Sequence, residues 1–134
     1  MPLLFYGRSN ASRSPLAEAI ARHHAPEVEV YSAGSQPAHV RGVVFTVLDE
    51  VGIDGRGLRS KSLFEVPLED VVTAVILCAP RDTPILPKRI EQVRWPLPDP
   101  DAAPRSEALE AYRATRDELM RRIPRLLQRL GGVS

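Results

Sequence analysis

An apolar run, a loop of small and polar residues and a helix start follow one another at residues 2–22. This succession leaves the chain few folds to choose from. Leu3, Leu4, Phe5 and Tyr6 form an unbroken apolar run that suits a strand covered on both faces. Gly7, Arg8, Ser9, Asn10, Ala11, Ser12 and Arg13 read as a compact loop. Ser14 and Pro15 then open a helix, with proline in the first turn, where its missing N–H costs little. Buried strand, small-residue loop and helix together aim backbone N–H groups and a helix dipole at an anion. Arg8 and Arg13 add positive charge to the same loop.

The remaining chain alternates strands with helices. The first helix is predicted over residues 14–24, with Leu16, Ala17, Ile20 and Ala21 as its apolar stripe and Glu18–Arg22 as an i,i+4 pair. Val28 and Val30 alternate with Glu27 and Glu29, so residues 27–32 read as a strand, followed by a turn at 32–35. A second helix is predicted over 40–51, facing Val44, Val47, Leu48 and Val51 inward and ending at Gly52. Residues 63–69 suit one helical turn. The apolar run at 71–77 is too short for a helix and reads as a buried strand. A proline-bounded loop at 81–87 leads to a fourth strand over 93–97. The last helix is predicted over 106–130, with Leu109, Tyr112, Leu119, Ile123, Leu126 and Leu127 inward and Pro124 kinking or dividing it. The pattern predicts an α/β fold: a single-domain, open, parallel four-stranded sheet with helices on both faces. Ligands of such sheets bind at the carboxyl ends of the strands. The 7–13 loop, Cys78 and Asp99 are therefore expected to meet on one rim.

Composition narrows the function classes. A chain of 134 residues suits one domain, and a net charge of +1 gives no basic surface for nucleic acid. No apolar run approaches the ~20 residues needed to span a bilayer, and no leader pattern opens the chain. A cytoplasmic protein without membrane or nucleic-acid partners is expected, as a monomer or weak dimer. Cys78 is the one cysteine, so an internal disulfide is impossible. His23 and His24 lack acidic or cysteine partners at ligand spacing, so neither metal nor cofactor is expected. The scarcity of lysine beside arginine (only Lys61 and Lys88) suits a GC-rich bacterial genome.

Leu4-Phe5-Tyr6-Gly7, Asn10 and Arg13-Ser14-Pro15-Leu16-Ala17-Glu18-Ala19 resemble the loop and first helix of the low-molecular-weight protein tyrosine phosphatases. The thioredoxin-coupled arsenate reductases of the same Rossmann-like, flavodoxin-like fold are more similar still. Tyr31-Ser32-Ala33-Gly34, Val51-Gly52-Ile53-Asp54, Arg59-Ser60-Lys61-Ser62, Ile76-Leu77-Cys78, Pro84-Ile85-Leu86-Pro87, Trp95, Asp99-Pro100 and Arg116-Asp117-Glu118-Leu119 extend the likeness over nearly the whole chain. The resemblance implies an oxyanion loop of the form C-x5-R-S/T, with Arg13 as its arginine, Ser14 as its hydroxyl residue and Asp99 as the general acid. Gly7 stands where the family carries its nucleophilic cysteine, and Ser9 where it usually has glycine. Cys78 matches the second cysteine of the reductases, while Thr83 stands before Pro84, where a third is expected. In some of these reductases a potassium ion sits beside the loop; Asn10, Glu18 and Ser32 match the positions concerned, but the changed loop argues against it here.

These departures decide the expected chemistry. A thiolate must attack phosphorus or arsenic, and Gly7 has no side chain. Arsenate reduction also needs further thiols to carry a disulfide outward, and one cysteine cannot supply them. The chain is expected to be a catalytically silent relative that binds phosphate, arsenate or sulfate, or a phosphorylated protein, through Gly7, Arg8, Ser9, Asn10, Ala11, Ser12, Arg13 and Ser14. Arg13 is expected on the anion, against an alternative in which it bonds local carbonyls. Arg8 faces the site or solvent. Asn10 is expected to hold the loop by bonding the loop's backbone, and Ser14 to cap the helix or bond within the loop. Cys78 is expected to be a buried small residue. Turnover by Ser9 or Ser12, or an interaction module with an empty loop, are the competing readings. The changes at Ser9 and Thr83 beside Gly7 argue for natural divergence rather than one engineered substitution.

Overall fold

Leu3–Tyr6 forms β1 as the apolar run predicts, and all its side chains are buried. The structure is a computed structural model that describes residues 2–131. The loop leads into α1 (Arg13–His24), then β2 (Val30–Ala33), α2 (Gly42–Asp49), β3 (Thr73–Ile76), β4 (Glu91–Arg94) and α3 (Ala108–Arg129). The sheet order is β2-β1-β3-β4, parallel throughout. Tyr6 lies opposite both Ala33 and Ile76, so three strands end at one level. The chain leaves β1 toward β2 on one side and later returns to β3 on the other. That reversal opens a crevice at the carboxyl ends of β1 and β3.

Alternation along the strands splits the core in two. Leu3, Phe5 and Val75 face all three α-helices, through Leu16, Ile20, Val44, Leu48, Leu119 and Ile123. Leu4, Tyr6, Ala74 and Ile76 face the other way. There the sheet is covered by Val66, Val71, Leu86 and Ile90, from the neighbourhood of two 3-10 turns (Leu63–Glu65 and Leu68–Asp70) and the segment before β4. Helical segments thus cover both faces, but the α-helices share one of them.

Several boundaries differ from those predicted. The 63–69 turn is two short turns separated by Val66 and Pro67. β2 starts at Val30 because the Val28 N–H bonds back to the Ala25 carbonyl. α2 starts at Gly42 because the Ala38 and Arg41 N–H groups are drawn to the carbonyls of Ser9 and Ala11. Thr73, not Val71, opens β3, and Val72 is half-exposed. β4 begins two residues early, yet the Trp95 and Leu97 N–H groups still pair with Ile76 and Leu77 carbonyls, around Pro96.

α3 departs from the expectations at two points. Pro124 does not divide it, since the helix is continuous from Ala108 to Arg129. An interior proline costs about 3 kcal/mol. Burial of Leu119, Ile123, Leu126 and Leu127 offsets it, at roughly 1.5–3 kcal/mol for each side chain. Leu109 is half-exposed rather than inward, because the buried stripe begins one turn later at Tyr112. No helix among the described residues is long and apolar enough to cross a membrane.

Candidate functional site

The 7–14 loop is turned so that its carbonyls are satisfied from outside. The Arg8 carbonyl accepts from Gln36 N–H, Ser9 from Ala38 N–H and the Ser60 hydroxyl, Ala11 from Arg41 N–H and Ser12 from Leu16 N–H. The backbone N–H groups from Arg8 to Ser14 have no acceptor among the described residues. Residues 7–14 line a small polar cavity of about 30 Å³, room for one small ion.

Three features hold this shape. Asn10 takes a left-handed backbone, φ +49°, which asparagine tolerates better than most residues. Its side-chain N–H donates to Ser14 Oγ at 2.8 Å, and its Oδ1 accepts from Lys61 N–H at 2.7 Å. Asn10 therefore holds the loop through its side chain, which reaches the Ser14 hydroxyl and the Lys61 backbone N–H. Ser14 lies inside α1 as a loop hydrogen-bonding residue rather than a cap. Gly34 permits close approach of β2's end: a Cβ there would lie 2.6–2.8 Å from Gly7 O, Asn10 N and Arg8 O.

Arg13 bonds local carbonyls, the alternative weighed for it, and also lines the cavity. Its Nη1 donates to the Leu97 carbonyl at 2.9 Å and the Leu77 carbonyl at 3.2 Å, which ties the guanidinium to the ends of β3 and β4. Nε and Nη2 make no hydrogen bond among the described residues, and Arg13 lines the cavity. Arg8 also lines it, exposed at the mouth.

The opposite wall was only partly legible. Asp99 lines the cavity as the resemblance implies, and its Oδ1 accepts from Asp101 N–H at 3.0 Å. Arg41 and Asp101, which sequence reasoning missed, line it too. Asp101 accepts from Arg41 Nε at 3.1 Å and from the Tyr112 hydroxyl at 3.0 Å. Tyr112 also meets Ser12 Oγ at 2.8 Å. A phenol has one proton, so with that proton on Asp101 the Ser12 hydroxyl donates to Tyr112. Burial pushes the Tyr112 hydroxyl up to about 12, with Asp101 adding to the rise. The acid-proline-acid spacing at 99–101 was the available signal for Asp101. Nothing in the helical period distinguishes Tyr112 from an apolar core residue.

Cys78 does not join the cavity. It is buried among Tyr6, Ala33 and Ile76 on the sheet face away from the α-helices. Burial pushes its thiol up, only partly opposed by Arg13. Gly7 is buried, and a Cβ there would lie 3.0 Å from Ser14 Oγ. Thr83 accepts from Arg94. The potassium positions do not fit the ion. Glu18 is buried, bonded by Ser32 and Arg22, and the Lys61 ammonium lies 3.7 Å away. Two cations already balance that carboxylate. Burial lowers the Lys61 ammonium below the usual range, with Glu18 pulling it back up. His23 and His24 are exposed, edge to face at 5.6 Å, and no metal-holding cluster occurs among the described residues.

The parallel 2-1-3-4 sheet, with a polar loop at its switch point, agrees with the comparisons. The profile of the Low molecular weight phosphotyrosine protein phosphatase family matches residues 2–132. The chain belongs to this family. An arsenate reductase of Staphylococcus aureus is 30% identical over 120 residues, covering 87% of this chain and 88% of that protein. The structure of an arsenate reductase from Archaeoglobus fulgidus superposes with a TM-score of 0.80 at 27% identity, covering 94% of this chain and 98% of that one. An arsenate reductase in its phosphate-binding state gives 0.77 at 27% identity, covering 96% and 97%. In this low molecular weight phosphatase relative, Gly7, Arg13 and Asp99 line one cavity at the carboxyl ends of the strands.

Proposed function

We propose that this chain binds a tetrahedral oxyanion of the phosphate type in its 7–14 loop and performs no cysteine chemistry on it. The observation that carries the reading is the row of backbone N–H groups from Arg8 to Ser14 without an acceptor. Buried N–H groups need partners, and a concave row of them suits an anion. The α1 dipole and the free nitrogens of Arg13 favour the same charge. The related arsenate reductase in a phosphate-binding state supports the ligand class. Free phosphate and a phosphorylated protein share this chemistry. With no side chain at Gly7 there is no covalent intermediate, and the single buried Cys78 cannot run a thiol relay. Millimolar phosphate is expected to stabilise the protein by about 1–3 kcal/mol, several degrees in Tm. Arg13→Ala should remove most of that shift. A thermal melt indifferent to phosphate contradicts the reading.

A second reading is favoured by the Ser12–Tyr112–Asp101 chain, which offers a path for the Ser12 proton. It requires hydrolysis of p-nitrophenyl phosphate that disappears in Ser12→Ala. Turnover at background level removes it.

A further inference from the structure

We infer that Asp99 makes this site select oxyanions that carry a proton, hydrogen phosphate and hydrogen arsenate, over sulfate. The inference rests on the oxyanion reading above and narrows its ligand class. The cavity lining is rich in donors: the loop N–H groups, Arg8, Arg13 and Arg41. Its charged acceptors are Asp99 and Asp101. Both Asp101 oxygens are engaged, one by Tyr112 and one by Arg41. Asp99 differs. Its Oδ1 accepts from Asp101 N–H, and its Oδ2 makes no hydrogen bond among the described residues. Asp99 is also held in place: it caps the 3-10 turn Pro100–Ala102 and stands between Pro98 and Pro100, whose rings restrict the backbone.

An ionised carboxylate only accepts hydrogen bonds. A sulfate oxygen beside Asp99 brings negative charge against negative charge with no proton between them. Hydrogen phosphate and hydrogen arsenate have the same size class and, as dianions, the same charge, but one of their oxygens carries a proton. That O–H can donate to Asp99 Oδ2 in a charge-assisted bond, while the other three oxygens take the loop and arginine donors. An acid placed here in an active relative has a leaving group to protonate. With Gly7 in place of the thiol there is none, and the same carboxylate is left to accept a proton from the ligand. Asp99 is exposed at the mouth, so water moderates the penalty, and the expected discrimination is smaller than in an enclosed site.

Isothermal titration of the full chain with phosphate, arsenate and sulfate at about pH 8, where phosphate is mainly the dianion, isolates the proton as the variable. Phosphate and arsenate should bind alike, and sulfate at least about tenfold more weakly. Asp99→Asn keeps an oxygen for Asp101 N–H and adds a donor, so folding should persist and sulfate should come within about threefold of phosphate. Equal binding of phosphate and sulfate by the unmodified chain overturns the inference but leaves the oxyanion reading standing. Discrimination that survives in Asp99→Asn overturns the assignment to Asp99. Failure of all three anions to bind overturns the oxyanion reading, and this inference with it.

Discussion

Tyr112 ties the floor of the loop to its acidic rim through a single hydroxyl, between Ser12 and Asp101. Tyr112→Phe keeps the packing and leaves both neighbours short of a partner. The expected cost near neutral pH is about 1–2 kcal/mol by urea denaturation. The pH dependence has a definite sign. The folded-state value, about 12, lies above the ordinary value of 10.0, so the neutral phenol is the form the fold favours. That contribution is intact below about pH 10 and is lost as pH rises toward about 12. Across this window the parent chain should lose about 2 kcal/mol more stability than Tyr112→Phe. Parallel losses in the two proteins contradict the assigned network. Arg13 was legible at this scale from the charge it adds to the strand–loop–helix turn, and Asn10 and Asp99 through the resemblance to a known family. Arg41, Lys61, Asp101 and Tyr112 were not, because each reaches the site through a tertiary contact that no local pattern encodes.

Among the elements, α2 and α3 are joined by one carboxylate. Glu50, at the end of α2, accepts from Arg113 and from Arg116 Nη1 at 2.7 Å. Arg116 also donates to the Val47 carbonyl, one of the last of α2 without a helical partner. The Arg113 and Arg116 guanidinium groups hold the Glu50 carboxyl down to about 2, from 4.5. A lowered value means stability present above about 4.5 and lost as pH falls toward about 2. Glu50→Gln should lack that part of the acid-induced loss, seen as a shallower decline of Tm between about pH 4.5 and pH 2. The existence and type of every major element were readable from periodicity: unbroken apolar runs for β1 and β3, apolar stripes for the α-helices. Their ends were not, because loop carbonyls compete for the N–H groups of Ala38 and Arg41. The unbroken course of α3 through Pro124 reflects burial over local preference.

At the scale of the whole molecule, the thiol inventory sets the limit on chemistry. Gly7→Cys places a Cβ 3.0 Å from Ser14 Oγ, a contact that a small side-chain shift relieves at about 1 kcal/mol. The new thiol would face the loop N–H groups and Arg13, an environment that favours thiolate. Hydrolysis of p-nitrophenyl phosphate should appear, and arsenate reduction should not, because Cys78 is buried on the far sheet face and Thr83 has no sulfur. Absence of any hydrolysis contradicts an intact cradle. The parallel sheet was implied by the strand–helix alternation, whereas its order, which brings the ends of β1, β3 and β4 around Arg13, was not. The placement of all three α-helices on one face was not, since alternating burial reads the same whichever element covers it. The central claim is that one anion fills the row of N–H groups from Arg8 to Ser14. A phosphate titration of the 15N-labelled chain tests it directly. The amide signals of Arg8 to Ser14 should move together and saturate at one concentration, with little change elsewhere. Shifts absent from those amides, or scattered over other surfaces, contradict the account.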